Sequence, residues 1–255
     1  MTTRRPLILD MDGTLLHSEP VPDALVIPGR TRPSYLSRTV TESLSHLSQR
    51  FDVVLATGRS WAGMQVAVEG LQRHGVAIAG LCVEDGAKVG RPGSWTVLEP
   101  HRDWHRLRTW IDAVSGDPAW PSFEWQEDFQ SCLVARAATY AEARTLAPLL
   151  FARATDDAPE PGLRVFRDGR KVFLIGAAVN KWQALGVLLG ERAASSAGFG
   201  DGLNDVCWLS RIADPGTLRG CAPEVLQAVL AAGGVVASQG GHEGIAELLR
   251  TLSPR

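Results

Sequence analysis

Asp10 and Asp12 are separated by one residue and followed by Gly13 and Thr14, in the run Pro6-Leu7-Ile8-Leu9-Asp10-Met11-Asp12-Gly13-Thr14-Leu15. If extended backbone continues to Asp12, strand period puts both carboxylates on one side of the chain. Two carboxylates held that close repel and raise each other's pKa unless a cation lies between them or one is protonated. Oxygen ligands with no neighbouring His or Cys favour magnesium over zinc. The competing reading is a strand that leaves into an acidic turn, with Gly13 present for its conformational freedom and the aspartates capping nearby amides. A second acidic pair, Asp201 and Asp205, stands in Gly200-Asp201-Gly202-Leu203-Asn204-Asp205. It spans one helical interval if the turn tightens promptly, and it reads equally as N-terminal capping. Lys181 falls at the first helical position if Asn180 and Gln183 make a capping box. A cation there opposes the helix dipole, a conflict that a nearby anion resolves; the alternative is a tolerated exposed lysine. Thr57-Gly58 ends another apolar run, offering a hydroxyl and, at the following helix start, unpaired N–H groups that suit an anion.

The elements that must position these groups are legible in outline. The apolar run before Asp10 is too short for a helix core and reads as a buried strand. Residues 17–34 contain Pro20, Pro22, Pro28 and Pro33 and read as an extended loop, in which His17 and Glu19 have no spacing that assigns them chemistry. Leu36, Val40, Leu44 and Leu47 recur at helical spacing from Tyr35 to Arg50, with Ser34 as the expected cap. Asp52–Ala56 reads as the strand that delivers Thr57, and Trp61–His74 as a helix stopped by Gly75. Ala79–Val83 is a further strand, ending in the turn Glu84-Asp85-Gly86-Ala87. The small-residue run Ser195–Gly200 is expected to deliver Asp201.

The middle of the chain changes character. Strand-like pieces at 95–98, 131–135, 163–166 and 171–175 alternate with helical candidates near 104–114 and 140–150. Arg167-Asp168-Gly169-Arg170 has the composition of a hairpin turn. Such a mixture predicts a small α+β domain with one open sheet face. Arg164 and Lys171 are its candidate selectors for an anionic or hydroxyl-rich substrate, weighed against ordinary solvated salt bridges. Trp95, Trp104, Trp110, Trp120 and Trp125 concentrate there; a ring can stack on a sugar, but core packing accounts for each one as well. His101 and His105 share a helical spacing and lack a placed third metal ligand.

Asp10-Met11-Asp12-Gly13-Thr14 resembles the first motif of the haloacid dehalogenase superfamily of phosphotransferases. Thr57-Gly58, Lys181 and Gly200-Asp201-Gly202-Leu203-Asn204-Asp205 resemble its later motifs, in the family's order. The resemblance implies an α/β fold: a Rossmann-like parallel-sheet core, residues 1–86 and 180–255, with an inserted α+β cap at 87–179 that closes over the site and selects the leaving group. It implies that Asp10 attacks a phosphoryl group to form an aspartyl phosphate, with Asp12 as general acid and base. Thr57 and the Gly58 amide would bind phosphate, and Lys181 would counter the transferred charge. Magnesium would be bound by an Asp10 carboxylate oxygen, the Asp12 backbone carbonyl and Asp201. Asp205 would support that shell, through water or Lys181, and Asn204 would orient phosphate or another site residue. The insertion point resembles that of the sucrose-phosphate, trehalose-phosphate and mannosyl-phosphoglycerate phosphatases and of the phosphomannomutases.

Composition bounds the rest. The 255 residues are 45% hydrophobic and 21% charged, enough for a sizeable packed interior. A formal charge of -2 offers no general affinity for nucleic acid or an anionic membrane, so a small phosphorylated substrate is the expected partner. Cys82, Cys132, Cys207 and Cys221 form no CxxC pair, and buried free thiols are expected at the first two. With no apolar leader ahead of the first strand, a cytoplasmic location is expected. Monomer and homodimer both stay open. The expected activity is hydrolysis of a phosphorylated sugar, sugar glycoside or cyclitol; a phosphomutase and a non-catalytic phosphosugar binder are the alternatives.

Overall fold

The computed structural model describes residues 4–29, 32–91, 93–98, 103–157 and 162–252. The chain divides into two compact units, Met1–Thr96 with Lys181–Arg255, and Val97–Asn180. The first unit opens with β1 (Arg5–Leu9), β2 (Leu25–Ile27), β3 (Ser34–Leu36), α1 (Arg38–Leu47), β4 (Phe51–Ala56), α2 (Trp61–Arg73), β5 (Ile78–Val83), β6 (Lys88–Arg91) and β7 (Ser94–Val97). The second contains α3 (Trp104–Asp112), β8 (Phe123–Trp125), β9 (Leu133–Ala137), α4 (Tyr140–Ala152), β10 (Leu163–Asp168) and β11 (Lys171–Gly176). The chain then returns with α5 (Lys181–Leu189), β12 (Ala197–Phe199), α6 (Val206–Leu209), β13 (Asp214–Thr217), α7 (Pro223–Ala231), β14 (Val235–Val236) and α8 (Gly241–Thr251).

Among the described residues the large sheet runs β14-β13-β12-β1-β4-β5-β6-β7. The pairs from β14 to β5 are parallel, and β6 runs antiparallel to β5. With a neighbour on each side and both faces covered, β1 has Leu7, Ile8 and Leu9 at 0% exposure, which is why its sequence is continuously apolar rather than alternating. From β1 the chain steps to β4 and β5 on one side and later to β12 and β13 on the other. Strand order therefore reverses between β1 and β12, where loops diverge and leave a crevice. Gly198 lets β12 approach closely, since a Cβ there would stand 2.7 Å from both the Ile8 carbonyl oxygen and the Trp208 ring.

Helices hold the sheet by their apolar stripes: Val40, Leu44 and Leu47 on α1, Met64, Val68 and Leu71 on α2, Ile245, Leu248 and Leu249 on α8. Each such side chain contributes about 1.5–3 kcal/mol of burial. Ser37, not Ser34, caps α1, accepting a hydrogen bond from the Val40 amide at 3.3 Å. The chain stays extended through Leu36 because Ser34–Leu36 pairs with Leu25–Ile27 in a two-stranded ribbon. The described part of the 17–34 segment thus carries strand pairing that its prolines do not predict; Pro20, Pro22, Pro28 and Pro33 all lie outside the ribbon strands. Ser60 caps α2, and Gly75 ends it with φ of +81°.

In the second unit a four-stranded antiparallel sheet has the order β10-β11-β9-β8. Leu163, Val172, Leu174, Ala135 and Ala137 on one face pack against Leu107 and Ile111 of α3 and Leu146 and Leu150 of α4. Asp168 pairs with Lys171, so the hairpin loop is Gly169-Arg170, with φ of +60° at Gly169. Since β6 and β7 join the large sheet, the second unit begins at Val97, ten residues beyond the start expected at 87. No helix among the described residues is long and apolar enough to cross a membrane. Cys82 and Cys132 are buried free thiols, and burial pushes the Cys82 thiol up, away from reactivity.

Candidate active site

The C-terminal ends of β1, β4 and β12 and the start of α5 bring the predicted residues together. Asp10 follows β1, and its amide donates to the Phe199 carbonyl of β12 at 2.9 Å. Lys181, the first residue of α5, is fully buried and donates from Nζ to Asp10 Oδ1 and to Asp205 Oδ1, both at 2.7 Å. The alternative reading of an exposed lysine is excluded by that burial. Asp205 Oδ1 also accepts from Trp208 Nε1 at 2.9 Å, while its Oδ2 accepts from the amides of Asp201 (3.2 Å) and Gly202 (3.0 Å). Two donors on each oxygen make Asp205 the anchor of the lysine and of the turn that carries Asp201.

Asp201 reaches back to the first motif. Its Oδ1 accepts from Thr14 Oγ1 at 2.6 Å, and a Cβ at Gly13 would stand 2.2 Å from its Oδ2. Gly13, at φ of +85°, is therefore required twice, by its backbone conformation and by the carboxylate against it. Thr14 carried no distinguishing signal in the sequence beyond its place after Gly13.

Ligand oxygens of Asp10, Asp201 and Asp205 lie within 4.8 Å of one another. Burial, then the Asp205 charge, push the Asp10 carboxyl well above the usual range, against the pull of Lys181. Burial acts to lower Lys181, but Asp10 and Asp205 outweigh it and hold the ammonium firmly charged. Three carboxylates against one ammonium leave an excess of negative charge, and an all-oxygen donor set with that excess fits a hard divalent cation such as magnesium.

Asp12 does not share this cluster through its carboxylate. Extended backbone ends at Leu9, and the chain turns so that the amides of Leu15 and Leu16 donate to the Met11 carbonyl. The Asp12 carboxylate is instead gripped by Arg59, Nε to Oδ2 at 2.6 Å and an Nη to Oδ1 at 2.5 Å. The single-sided arrangement of Asp10 and Asp12 required an uninterrupted strand, which the turn replaces. In the sequence Arg59 matches a frequent residue of the resembled family and reads as readily as structural pairing as substrate contact; the fork on Asp12 shows the pairing.

Thr57 is buried at the end of β4, and its Oγ1 accepts from the Arg59 amide at 3.1 Å. Gly58 lies between them. Asn204 donates to Asp85 Oδ1 at 3.1 Å, and the Asp85 amide donates to the Thr57 carbonyl at 3.1 Å. Glu84 and Asp85 both adopt positive φ, 53° and 55°, a strained pair that costs about 1–3 kcal/mol per residue and marks the turn as more than a strand exit. Arg164 and Lys171 lie in the second unit. The Arg164 guanidinium donates twice to the Val179 carbonyl, at 3.1 and 2.8 Å, and lies 4.4 Å from the Phe166 ring centroid. Lys171 opens β11, between Asp168 of β10 and Arg136 of β9 in register. His101 falls outside the described residues, and His105 lies exposed on α3.

A parallel sheet with aspartates and a buried lysine at its strand ends, interrupted by a second α+β unit, defines a Rossmann-like α/β fold. Comparison with solved structures gives it a more particular form. A haloacid dehalogenase-like hydrolase from Bacteroides thetaiotaomicron superposes with a TM-score of 0.68 at 16% identity, over 98% of this chain and 100% of that one. A HAD subclass IIB sugar phosphatase gives 0.65 at 15%, over 97% and 98%. A trehalose-6-phosphate phosphatase related protein gives 0.60 at 17%, over 96% of each. By sequence, no family model and no curated protein matches the chain. The chain has the haloacid dehalogenase-like hydrolase fold, including the inserted second unit.

Proposed function

We propose that this protein is a magnesium-dependent phosphomonoester hydrolase that acts on a phosphorylated sugar, sugar glycoside or cyclitol through an aspartyl phosphate. The observation that carries the reading is Lys181 Nζ at 2.7 Å from both Asp10 and Asp205. A nucleophilic carboxylate is normally repelled by a phosphoryl dianion; a buried ammonium against it offsets that repulsion where the new bond forms. Because Asp205 pins the same ammonium, Lys181 stays in place when the Asp10 oxygen becomes esterified. The sugar phosphatase and the trehalose-6-phosphate phosphatase related protein among the structural neighbours support the substrate class.

Asp10 attacks phosphorus in line. Asp12 delivers a proton to the departing oxygen, then takes one from the water that releases phosphate. In the bidentate pair Asp12 is held as an acceptor, so acting as an acid requires Arg59 to loosen its grip. The Thr57 hydroxyl and the Gly58 amide hold the phosphoryl oxygens, and Asn204, itself oriented by Asp85, aligns them. Asp10, Asp201 and the Asp12 carbonyl, with Asp205 behind, would hold magnesium, which when bound would supply positive charge to the phosphoryl group. The second unit, read as the cap, selects the leaving group with Arg164 and Lys171 as candidate contacts, and a cytoplasmic location fits this chemistry. The test is magnesium-dependent phosphate release across a panel of phosphosugars and phosphocyclitols, with D10N as blank. Selective release above the blank is expected; none from folded, magnesium-binding protein would overturn the hydrolase reading.

A further inference from the structure

His17 and His242 sit away from the carboxylate cluster, in the loop after the first motif and in the first turn of α8. Both are buried, at 8% and 6% exposure, and their rings meet edge to face with centroids 4.6 Å apart. The His17 ring hydrogen-bonds the Thr14 backbone carbonyl, and His242 Nε2 bonds the Glu19 carbonyl at 3.0 Å. A carbonyl oxygen only accepts, so in each ring the bonded nitrogen carries the hydrogen and the other is a bare lone pair in the neutral form. Those other nitrogens, His17 Nε2 and His242 Nδ1, are buried and meet no hydrogen-bond partner. Through the same residues the segment is tied elsewhere: His17 and Tyr35 exchange backbone hydrogen bonds at 3.1 and 2.8 Å, and Thr14 holds Asp201.

We propose that His17 and His242 form an acid-released clasp, two packed imidazoles that hold residues 14–19 to the start of α8 and let go when His17 is protonated. Protonation of His17 creates an N–H at Nε2, a buried atom that meets no hydrogen-bond partner in this arrangement, beside a second imidazole. Burial first, then His242, hold His17 below its usual value of 6.5, while the Thr14 carbonyl and the carboxylates of Glu19 and Glu243 pull the other way. The sign follows: the unfolded chain binds this proton at higher pH than the folded one, so the clasp stabilises fully above 6.5 and weakens as pH falls toward the lowered value. Since His17 bonds the Thr14 carbonyl and the Thr14 hydroxyl bonds Asp201, release reaches the edge of the proposed active site.

The proposal is independent of the phosphatase reading and is tested without turnover. The ring C–H resonances of both histidines are followed by NMR on the full chain from about pH 8 to about pH 5, assigned with H17N and H242N. Amide exchange of residues 14–19, corrected for intrinsic pH dependence, is read in the same samples. The His17 midpoint is expected below 6.5, with exchange at 14–19 about ten-fold faster once it is passed. In H242N the step in exchange should be lost. If that variant does not fold, the wild-type titration decides alone. A His17 midpoint at or above 6.5, the mark of a proton shared between the two lone pairs, or protection unchanged through the titration, would overturn the clasp.

Discussion

Arg59 grips Asp12 with two nitrogens, at 2.6 and 2.5 Å, across the gap between the ends of β1 and β4. Its guanidinium is largely enclosed, at 14% side-chain exposure, while the carboxylate it holds is half exposed. The pair thus presents Asp12 on the open side of the site while its orientation is set from within.

This makes Arg59 a positioning residue for the acid. D12N should cost about 10²–10⁴ in kcat, the range for a lost general acid. R59A should cost less, and R59K should not restore the rate, because an ammonium cannot reproduce the fork. Adding R59A to D12N should cost little more than D12N alone. Fully additive losses in that double variant would show that Arg59 acts on the substrate and not through Asp12.

Lys181 has structural as well as chemical weight. K181A leaves Asp205 buried with part of its compensation gone, and removing one partner of such a pair costs about 3–5 kcal/mol. Denaturant unfolding should register that loss alongside the fall in phosphate release. An unchanged catalytic efficiency would remove Lys181 from the site.

For Asp10 the two readouts should move in opposite directions. Burial and the neighbouring Asp205 already disfavour its charge, so D10N should abolish turnover while thermal stability without magnesium holds or rises. Near-normal hydrolysis by a verified D10N preparation would reject the covalent route.

The Thr14 hydroxyl bonds Asp201 Oδ1 at 2.6 Å and fixes which way that carboxylate faces. T14V should weaken magnesium binding about 10–100-fold, as loss of a partner behind a metal ligand does elsewhere. Calorimetric titration with magnesium measures it directly, and wild-type affinity in T14V would show that the backbone alone orients Asp201.

Arg164 separates a structural from a selective role. Its two bonds to the Val179 carbonyl predict that R164A lowers stability, whereas K171A should shift preference across the phosphosugar panel with stability unchanged. A preference shift in R164A at full stability would make Arg164 a substrate contact.

Much of this was legible in the chain itself. Short apolar runs that end in Asp10, Thr57 and Asp201 mark buried parallel strands, because a strand covered on both faces has no reason to alternate. Glycine and small residues at 13, 198 and 200 mark close backbone approaches. The turn after Leu9, which parts the Asp12 carboxylate from Asp10, was not legible, because extended and turned backbone are equally open to Met11-Asp12-Gly13. Nor was the ribbon of Leu25–Ile27 and Ser34–Leu36, whose strands the prolines that predict a loop merely leave uninterrupted.

What the sequence by itself determined is the set of groups at the strand ends and the order in which the chain delivers them, since burial period and turn chemistry are local properties. Partner choice was decided only by the tertiary structure. Lys181 between Asp10 and Asp205, Arg59 on Asp12, Asn204 on Asp85 and His17 against His242 each join residues from separate elements. Which side chains meet there depends on the strand order β12-β1-β4-β5 and on the packing of α5 and α8, neither of which any local stretch of residues encodes.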